Sequence, residues 1–276
     1  MAGSLMIMRA MSTIPSAEIA AILTLLPISI LAGLGRLERN TLGWMLLAAA
    51  ILGGSVPALA ELRGGWRTGL AASLHVTASA CLIVFAATSV LNAATLRLAA
   101  LVGPYMILLI VLGAVASVLQ TEPPLTAPPG AWFAGHVLLA IGAYAALTLS
   151  ALAACGVLLL ERAFKARVES WATRVLPPLS ETEALQNLLL KLAAILLLLA
   201  LATGAANELL DEGQALAFTH KILLSFLAFA VVLILLVLHH RTGLRGRRAA
   251  RWLLGGYLLL TLAYPGVKFV REILMG

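Results

Sequence analysis

The chain has 276 residues, of which 62% are hydrophobic and only 11% are charged, and its mean hydropathy is +1.02. Soluble domains carry about 25% charged residues, so this composition excludes a soluble globular protein and predicts one integral membrane domain over residues 1–276. The formal net charge of +7 does not indicate nucleic-acid binding, because the basic residues lie in short loops between apolar runs, where membrane topology accounts for them.

Eight apolar segments are each long enough to cross a bilayer core of roughly 30 Å. In chain order, the predicted spans are 17–35, 41–60, 70–91, 94–119, 131–160, 185–207, 215–240 and 250–273. The fifth segment should continue beyond the membrane as a charged helix. Before the sixth, "LPPLSETEAL" predicts a capping box in which Ser180 caps the helix and Glu183 is its partner. The predicted fold is all-α, with eight transmembrane helices.

Basic residues in the loops predict the orientation. Twelve of them fall on one face of the predicted topology: Arg36, Arg39, Arg97, Arg162, Lys165, Arg167, Arg174, Arg241, Arg245, Arg247, Arg248 and Arg251. The other face has five: Arg9, Arg63, Arg67, Lys268 and Arg271. The richer face should be cytoplasmic, which places both termini on the outer side, in the periplasm of a Gram-negative cell.

Three histidines share a position in the predicted spans. His75, His136 and His220 are each the sixth residue of an odd-numbered span, and all odd-numbered spans begin at the outer face. At 1.5 Å per residue they should lie at one depth, roughly 8 Å below the outer ends. Ionisable side chains inside a membrane usually serve a function. The alternative is that each is an interfacial histidine bonded to a neighbour or to water.

Neutral imidazoles bind zinc, copper or haem iron. No acidic residue is predicted near the three histidines within a span, and Cys81 and Cys155 lie off their layer. This pattern is less typical of zinc or copper than of haem, whose axial histidines can come from separate helices of an apolar bundle. The residues are therefore compatible with a haem site, but by themselves they do not establish which ligand the histidines bind.

Tyr144 follows His136 by eight positions, which places both on one helix face about two turns apart. Its hydroxyl could line the same cavity or bond a backbone carbonyl. The small residues Gly142, Ala143 and Ala145 either pack against a neighbouring helix or leave room for a flat ligand.

Several stretches in the second half carry a family resemblance. They are "PGAWFAGHVLLAIGAYAAL", "LERAFKARV", "LPPLSETEAL", "LHHRTGLRGRRAA" and "LTLAYPGVKFV". In their order and spacing the chain resembles the CcsA/HemX-type cytochrome c assembly membrane proteins, most closely the short YpjD-like branch, over roughly residues 120–273. The resemblance implies haem binding or delivery at the outer face of the bacterial inner membrane. The external histidine of the family corresponds to His136.

The chain also departs from that family. Where longer members have a tryptophan-rich haem-presenting loop, it reads "ANELLDEGQALAFTHK", and the final span has no second external histidine. We therefore do not expect an enzyme by itself. His136 and His220 are the predicted axial ligands of haem iron, His75 is the reserve ligand, and Tyr144 lines the site. The expected partners are haem, membrane lipids, and an apocytochrome or other maturation components. The alternatives are a cofactor-free accessory or regulatory subunit and, less favoured, a transporter.

Overall fold

Every regular element in the described part of the chain is helical. The computed structural model describes residues 16–63, 69–119, 130–212, 220–241, 246–262 and 266, and a few side chains beside the gaps, including those of His220, His239 and His240, lie outside this description. Within these ranges there is no β-strand. The predicted all-α class is confirmed for the described residues.

The described helices form two compact units. Unit 1 contains α1 (Ser16–Gly33), α2 (Thr41–Arg63), α3 (Leu70–Leu91), a 3-10 helix (Ala93–Leu98) and α4 (Ala99–Leu119). Unit 2 contains α5 (Ala131–Ala166), the short α6 (Trp171–Val175), α7 (Leu179–Glu212), α8 (His220–Arg241) and α9 (Gly246–Thr261). A single domain over the whole chain stays a prediction.

Six helical segments among the described residues are long and apolar enough to span a membrane. They are Ser16–Gly33, Thr41–Glu61, Leu70–Leu91, Ala93–Leu119, Trp132–Ala166 and Leu179–Ala206, and each coincides with one of the first six predicted spans. Helices form here because backbone N–H and C=O groups in lipid must bond within their own segment. The seventh and eighth spans stay predictions, since α8 contributes a shorter apolar stretch, Phe229–Leu238, and α9 is described only to Thr261.

Small residues bring the helices together within each unit. In unit 1, Gly53 of α2 lies against Thr24 of α1, and Gly103 of α4 lies against Ser29. In unit 2, the Ser150 hydroxyl on α5 donates a hydrogen bond to the backbone carbonyl of Gln186 on α7 at 2.8 Å. Lipid supplies no hydrophobic force between helices, so close backbone approach and such polar contacts stabilise their packing.

The start of α7 differs from the prediction. The helix begins at Leu179, so Ser180 lies inside its first turn and is not its cap. Thr182 makes the local bond instead, donating its hydroxyl to the Pro177 carbonyl at 3.0 Å. The helix can begin directly after Pro178 because proline has a helical φ and no N–H to leave unpaired. A capping box does occur nearby, between Ser170 and Thr173, where it opens α6.

The charged extension of the fifth span is confirmed. α5 runs without interruption for 36 residues and ends where Arg167 adopts a left-handed conformation. Beyond the apolar part, Glu161 accepts a hydrogen bond from the Arg247 N–H at 2.8 Å. This carboxylate satisfies one of the free N–H groups at the start of α9, so the polar ends of α5 and α9 are held together.

Candidate functional site

His136 is anchored between α5 and α7 at one end of unit 2. Its Nδ1 lies 2.8 Å from the Ala200 carbonyl oxygen and 3.4 Å from the Thr203 hydroxyl. A backbone carbonyl can only accept a hydrogen bond, so Nδ1 carries the proton. In the neutral ring the lone pair then belongs to Nε2, which has no hydrogen-bond partner among the residues that the structure describes.

The neighbours of His136 hold it from several sides. Gly204 leaves the space in which the ring lies, because a Cβ at that position would be 2.8 Å from the His136 Cε1. Trp132 donates its indole N–H to the Thr203 carbonyl at 3.1 Å, which ties the start of α5 to α7. The Phe133 ring lies 6.4 Å from the imidazole, centroid to centroid. The ring is therefore fixed at Nδ1 and only half-buried elsewhere.

This arrangement is the one that histidine ligands of metals usually have. In such ligands the second ring nitrogen donates to a carbonyl or carboxylate, which fixes both the tautomer and the orientation of the ring. Trp132 and Phe133 are 51% and 39% exposed, so aromatic surface is available beside the imidazole. His136 could thus hold a metal centre within a flat organic group through Nε2.

Tyr144 lies farther along α5 and contacts a different helix. Its hydroxyl is 3.1 Å from the Thr261 hydroxyl on α9, and its ring stacks on Tyr257 with centroids 6.0 Å apart. The alternative of a bond from this hydroxyl to a backbone carbonyl stays a prediction. His136 bonds α7, so the two side chains of α5 have separate polar partners.

The small residues around Tyr144 pack against helices. Ala143 and Ala145 are buried, and a Cβ at Gly142 would be 3.4 Å from Leu196 of α7. Of the two predicted roles for these residues, the structure supports close helix packing.

His75 lies in unit 1 and is completely enclosed. Its Nδ1 is 3.6 Å from the Glu61 carboxylate of α2, and its Nε2 is 3.9 Å from the Glu18 carboxylate of α1. The ring rests against Gly113 of α4, where a Cβ would collide with Nε2. The expectation that no acidic residue lies near the histidines was wrong, because helix packing brings two carboxylates to this one.

The predicted histidine layer is described only in part. His75 and His136 are each the sixth residue of their helix, as expected, but they belong to different units and have different partners. The side chain of His220 lies outside the described residues, so its pairing with His136 stays a prediction. No cluster of three His, Cys, Asp or Glu side chains suited to a metal ion occurs in the described ranges.

The sequence reasoning missed most contributors to these two environments, among them Glu18, Glu61, Ala200 and Thr203. Glu18 did leave a signal, since it is an acidic residue within the first apolar span. The role of Ala200 left none, because a backbone carbonyl is present at every position.

Comparison with known proteins identifies the family. The family model described as "Cytochrome C assembly protein" matches residues 38–275. A 28.8 kDa protein from the nifR3-like 5′ region of Azospirillum brasilense, itself described as uncharacterised, is 41% identical over 267 residues, covering 94% of this chain and 97% of the relative. The inner membrane protein YpjD of Escherichia coli is 29% identical over 139 residues, about half of each chain (50% and 52%).

No solved structure matches the chain significantly. The family match, the YpjD relative and the apolar helices agree with one another and confirm the predicted location, so the chain is a multi-pass inner membrane protein. The resemblance seen in its second half extends over most of its length, and the chain belongs to the cytochrome c assembly protein family.

Proposed function

We propose that the chain binds haem through His136 at the outer membrane face and thereby supports cytochrome c assembly. The observation that carries the proposal is the Nδ1 bond of His136 to the Ala200 carbonyl, which leaves the lone pair on Nε2. A histidine held in this way fits an axial ligand of haem iron, since ligation needs a neutral imidazole with a fixed tautomer.

The residues around His136 fit a porphyrin edge. Trp132 and Phe133 offer exposed aromatic surface next to the imidazole, and the α5–α7 contact that Trp132 closes keeps the ring in place. Apolar and aromatic walls favour haem because most of the macrocycle is hydrophobic. When bound, haem would supply the iron and porphyrin that cytochromes c require. The residues of this chain would bind and orient it.

The other predicted site residues enter the proposal with unequal support. His220 is the proposed second axial ligand because it lies just after the segment that replaces the tryptophan-rich loop. Tyr144 would line the inner side of the site, although its hydroxyl bonds Thr261. His75 remains the reserve ligand, but both of its ring nitrogens face carboxylates. The proposed partners are haem, membrane lipids, and an apocytochrome or other maturation components.

We further propose one domain of eight spans with both termini outside. Support comes from the six described spans, from the helical segments of α8 and α9, and from the uneven distribution of Arg and Lys between the loops. Single cysteines placed in each loop of a Cys81→Ala, Cys155→Ala chain would test this with an impermeant thiol reagent in intact spheroplasts. Labelling in the predicted outer loops is expected, and labelling of the 162–174 segment would contradict the orientation.

The haem proposal is tested by the absorbance spectrum of the protein purified from cells with ample haem. We expect a Soret band in the wild type that falls at least about tenfold in His136→Ala, because loss of a ligand contact worth about 1.4 kcal/mol or more changes affinity by that factor. Free imidazole should restore much of the band by filling the space of the deleted side chain. A chain purified without haem would contradict the proposal and favour the cofactor-free accessory subunit.

A further inference from the structure

We propose that the pocket between α7, α8 and α9 binds the primary ammonium group of a phospholipid headgroup through the side-chain oxygens of Gln186 and Asn187. This pocket is called the amide pocket below. The inference deepens the membrane-lipid part of the proposed function and does not depend on haem binding. Gln186 lies roughly 20 Å along α7 from Ala200, the residue that anchors His136.

Two acceptor atoms of the amide pocket are enclosed without a hydrogen-bond partner. Gln186 is only 4% exposed. Neither its Oε1 nor the Asn187 Oδ1 has a partner in the part of the chain that the structure describes. Amide oxygens can only accept hydrogen bonds, and buried polar atoms in native proteins are nearly always paired. The two oxygens therefore call for a bound group that donates hydrogen bonds.

The size of the amide pocket restricts this donor to a small group. Its cavity volume is about 10 Å³, which is the room that one water molecule needs. Ala249 and leucines of all three helices form apolar walls around it. A primary ammonium group is similar in size to water and has three N–H donors. A trimethylammonium group is larger and has no N–H, so the pocket should distinguish between the two.

The amide pocket is placed at the depth of lipid headgroups. Gln186 and Leu238 lie close to the ends of the predicted sixth and seventh spans, and Ala249 directly precedes the predicted eighth. Trp252 lines the pocket and is 62% exposed, so a lipid can contact the indole at the edge of the pocket. Tryptophan is common at membrane interfaces, and the face of its ring attracts cations.

The charges around the amide pocket favour a lipid headgroup over water. No charged side chain lines the pocket among the described residues, so an ammonium group meets no cation there. Arg248, one helical turn before Trp252, and Arg251, next to it, are both exposed. Their guanidinium groups are suited to a phosphate. A phospholipid with a primary ammonium headgroup supplies the ammonium group and the phosphate together, whereas water supplies neither charge.

Native mass spectrometry of the full-length protein in detergent tests the proposal, with added phosphatidylethanolamine or phosphatidylcholine of identical acyl chains. We expect phosphatidylethanolamine to bind at least about tenfold more tightly, which corresponds to about 1.4 kcal/mol. Its N-methylated and N,N-dimethylated forms should bind progressively more weakly, because each methyl group removes a donor and adds volume. This lipid series uses the wild-type chain, so its result does not depend on whether a variant folds.

The Gln186→Leu, Asn187→Leu double variant should lose this preference, because leucine fills a similar volume and has no acceptor atom. The control Ser180→Ala changes an exposed polar residue of the same helix and should retain the preference. Equal binding of the two lipids by the wild-type chain would overturn the proposal and leave the pocket to water only. A preference that persists in the double variant would contradict binding by the two amides. The Soret band of the same samples reports separately on His136.

Discussion

Each unit of the molecule places one histidine against a helical glycine, yet the polar groups around the two rings differ in kind. In unit 2, His136 donates to a backbone carbonyl, is half-buried and keeps the lone pair of Nε2 available. In unit 1, His75 is fully enclosed, and each of its nitrogens faces a carboxylate. The backbone carbonyl fixes one tautomer of His136, whereas neither ring nitrogen of His75 has a hydrogen-bond partner among the described residues. The same residue type is thus accessible to a ligand at Nε2 in unit 2 and enclosed by packing in unit 1.

The largest expected difference is between His75→Phe and His136→Phe. His75→Phe places an apolar ring against the Glu18 and Glu61 carboxylates in an enclosed site, which should cost about 3 kcal/mol of unfolding free energy. Removing His136 loses one hydrogen bond at a half-buried site, which should cost about 1 kcal/mol. Unfolding of haem-free protein by SDS in mixed micelles would measure both. Equal losses would show that the two histidines are equivalent structural residues.

The two glycines provide a smaller and more local comparison. In Gly113→Ala the new methyl would collide with an enclosed ring that cannot move, so overpacking should cost about 1–3 kcal/mol. In Gly204→Ala the half-buried His136 ring can swing outward, and helix propensity offsets up to about 1 kcal/mol. We expect little change in thermal stability for Gly204→Ala but a weaker Soret band. A stable Gly113→Ala protein would indicate that the enclosure of His75 is loose.

The smallest expected effect is that of Trp132→Phe, which keeps an aromatic ring and removes the indole N–H bonded to Thr203. One net hydrogen bond at an exposed position is worth about 0.5–1 kcal/mol. The melting temperature of the purified protein should fall slightly, and the Soret band should remain. Complete loss of the band would instead assign Trp132 a direct part in haem binding.

The helical spans were predictable because lipid imposes length and hydropathy on every crossing segment. The first six predicted spans agree with the described helices, and α5 extends past the membrane as its charged continuation predicted. The start of α7 was not predictable from the capping pattern alone, because the helix begins directly after Pro178 and so includes Ser180 in its first turn. The capping box that the structure does form, between Ser170 and Thr173, opens the separate helix α6.

The sequence was sufficient to predict that His136 belongs to the candidate site, but not which groups surround it. His136 stood out as a polar residue in an apolar helix, but its anchor is a carbonyl 64 positions away that has no sequence signature. Glu18 could have been noticed as an acidic residue inside a span. Its pairing with His75 depends on how α1 packs against the other helices of unit 1, which hydropathy does not specify.

The most direct test of the central claim is the ratio of haem to folded chain in the matched variants His136→Gln and His75→Gln, purified side by side from haem-replete cells. Both substitutions remove an imidazole and keep a polar side chain of similar size. We expect His136→Gln to lose most of its haem and His75→Gln to retain wild-type occupancy per folded chain. Haem loss in His75→Gln with retention in His136→Gln would contradict the assignment of ligation to unit 2.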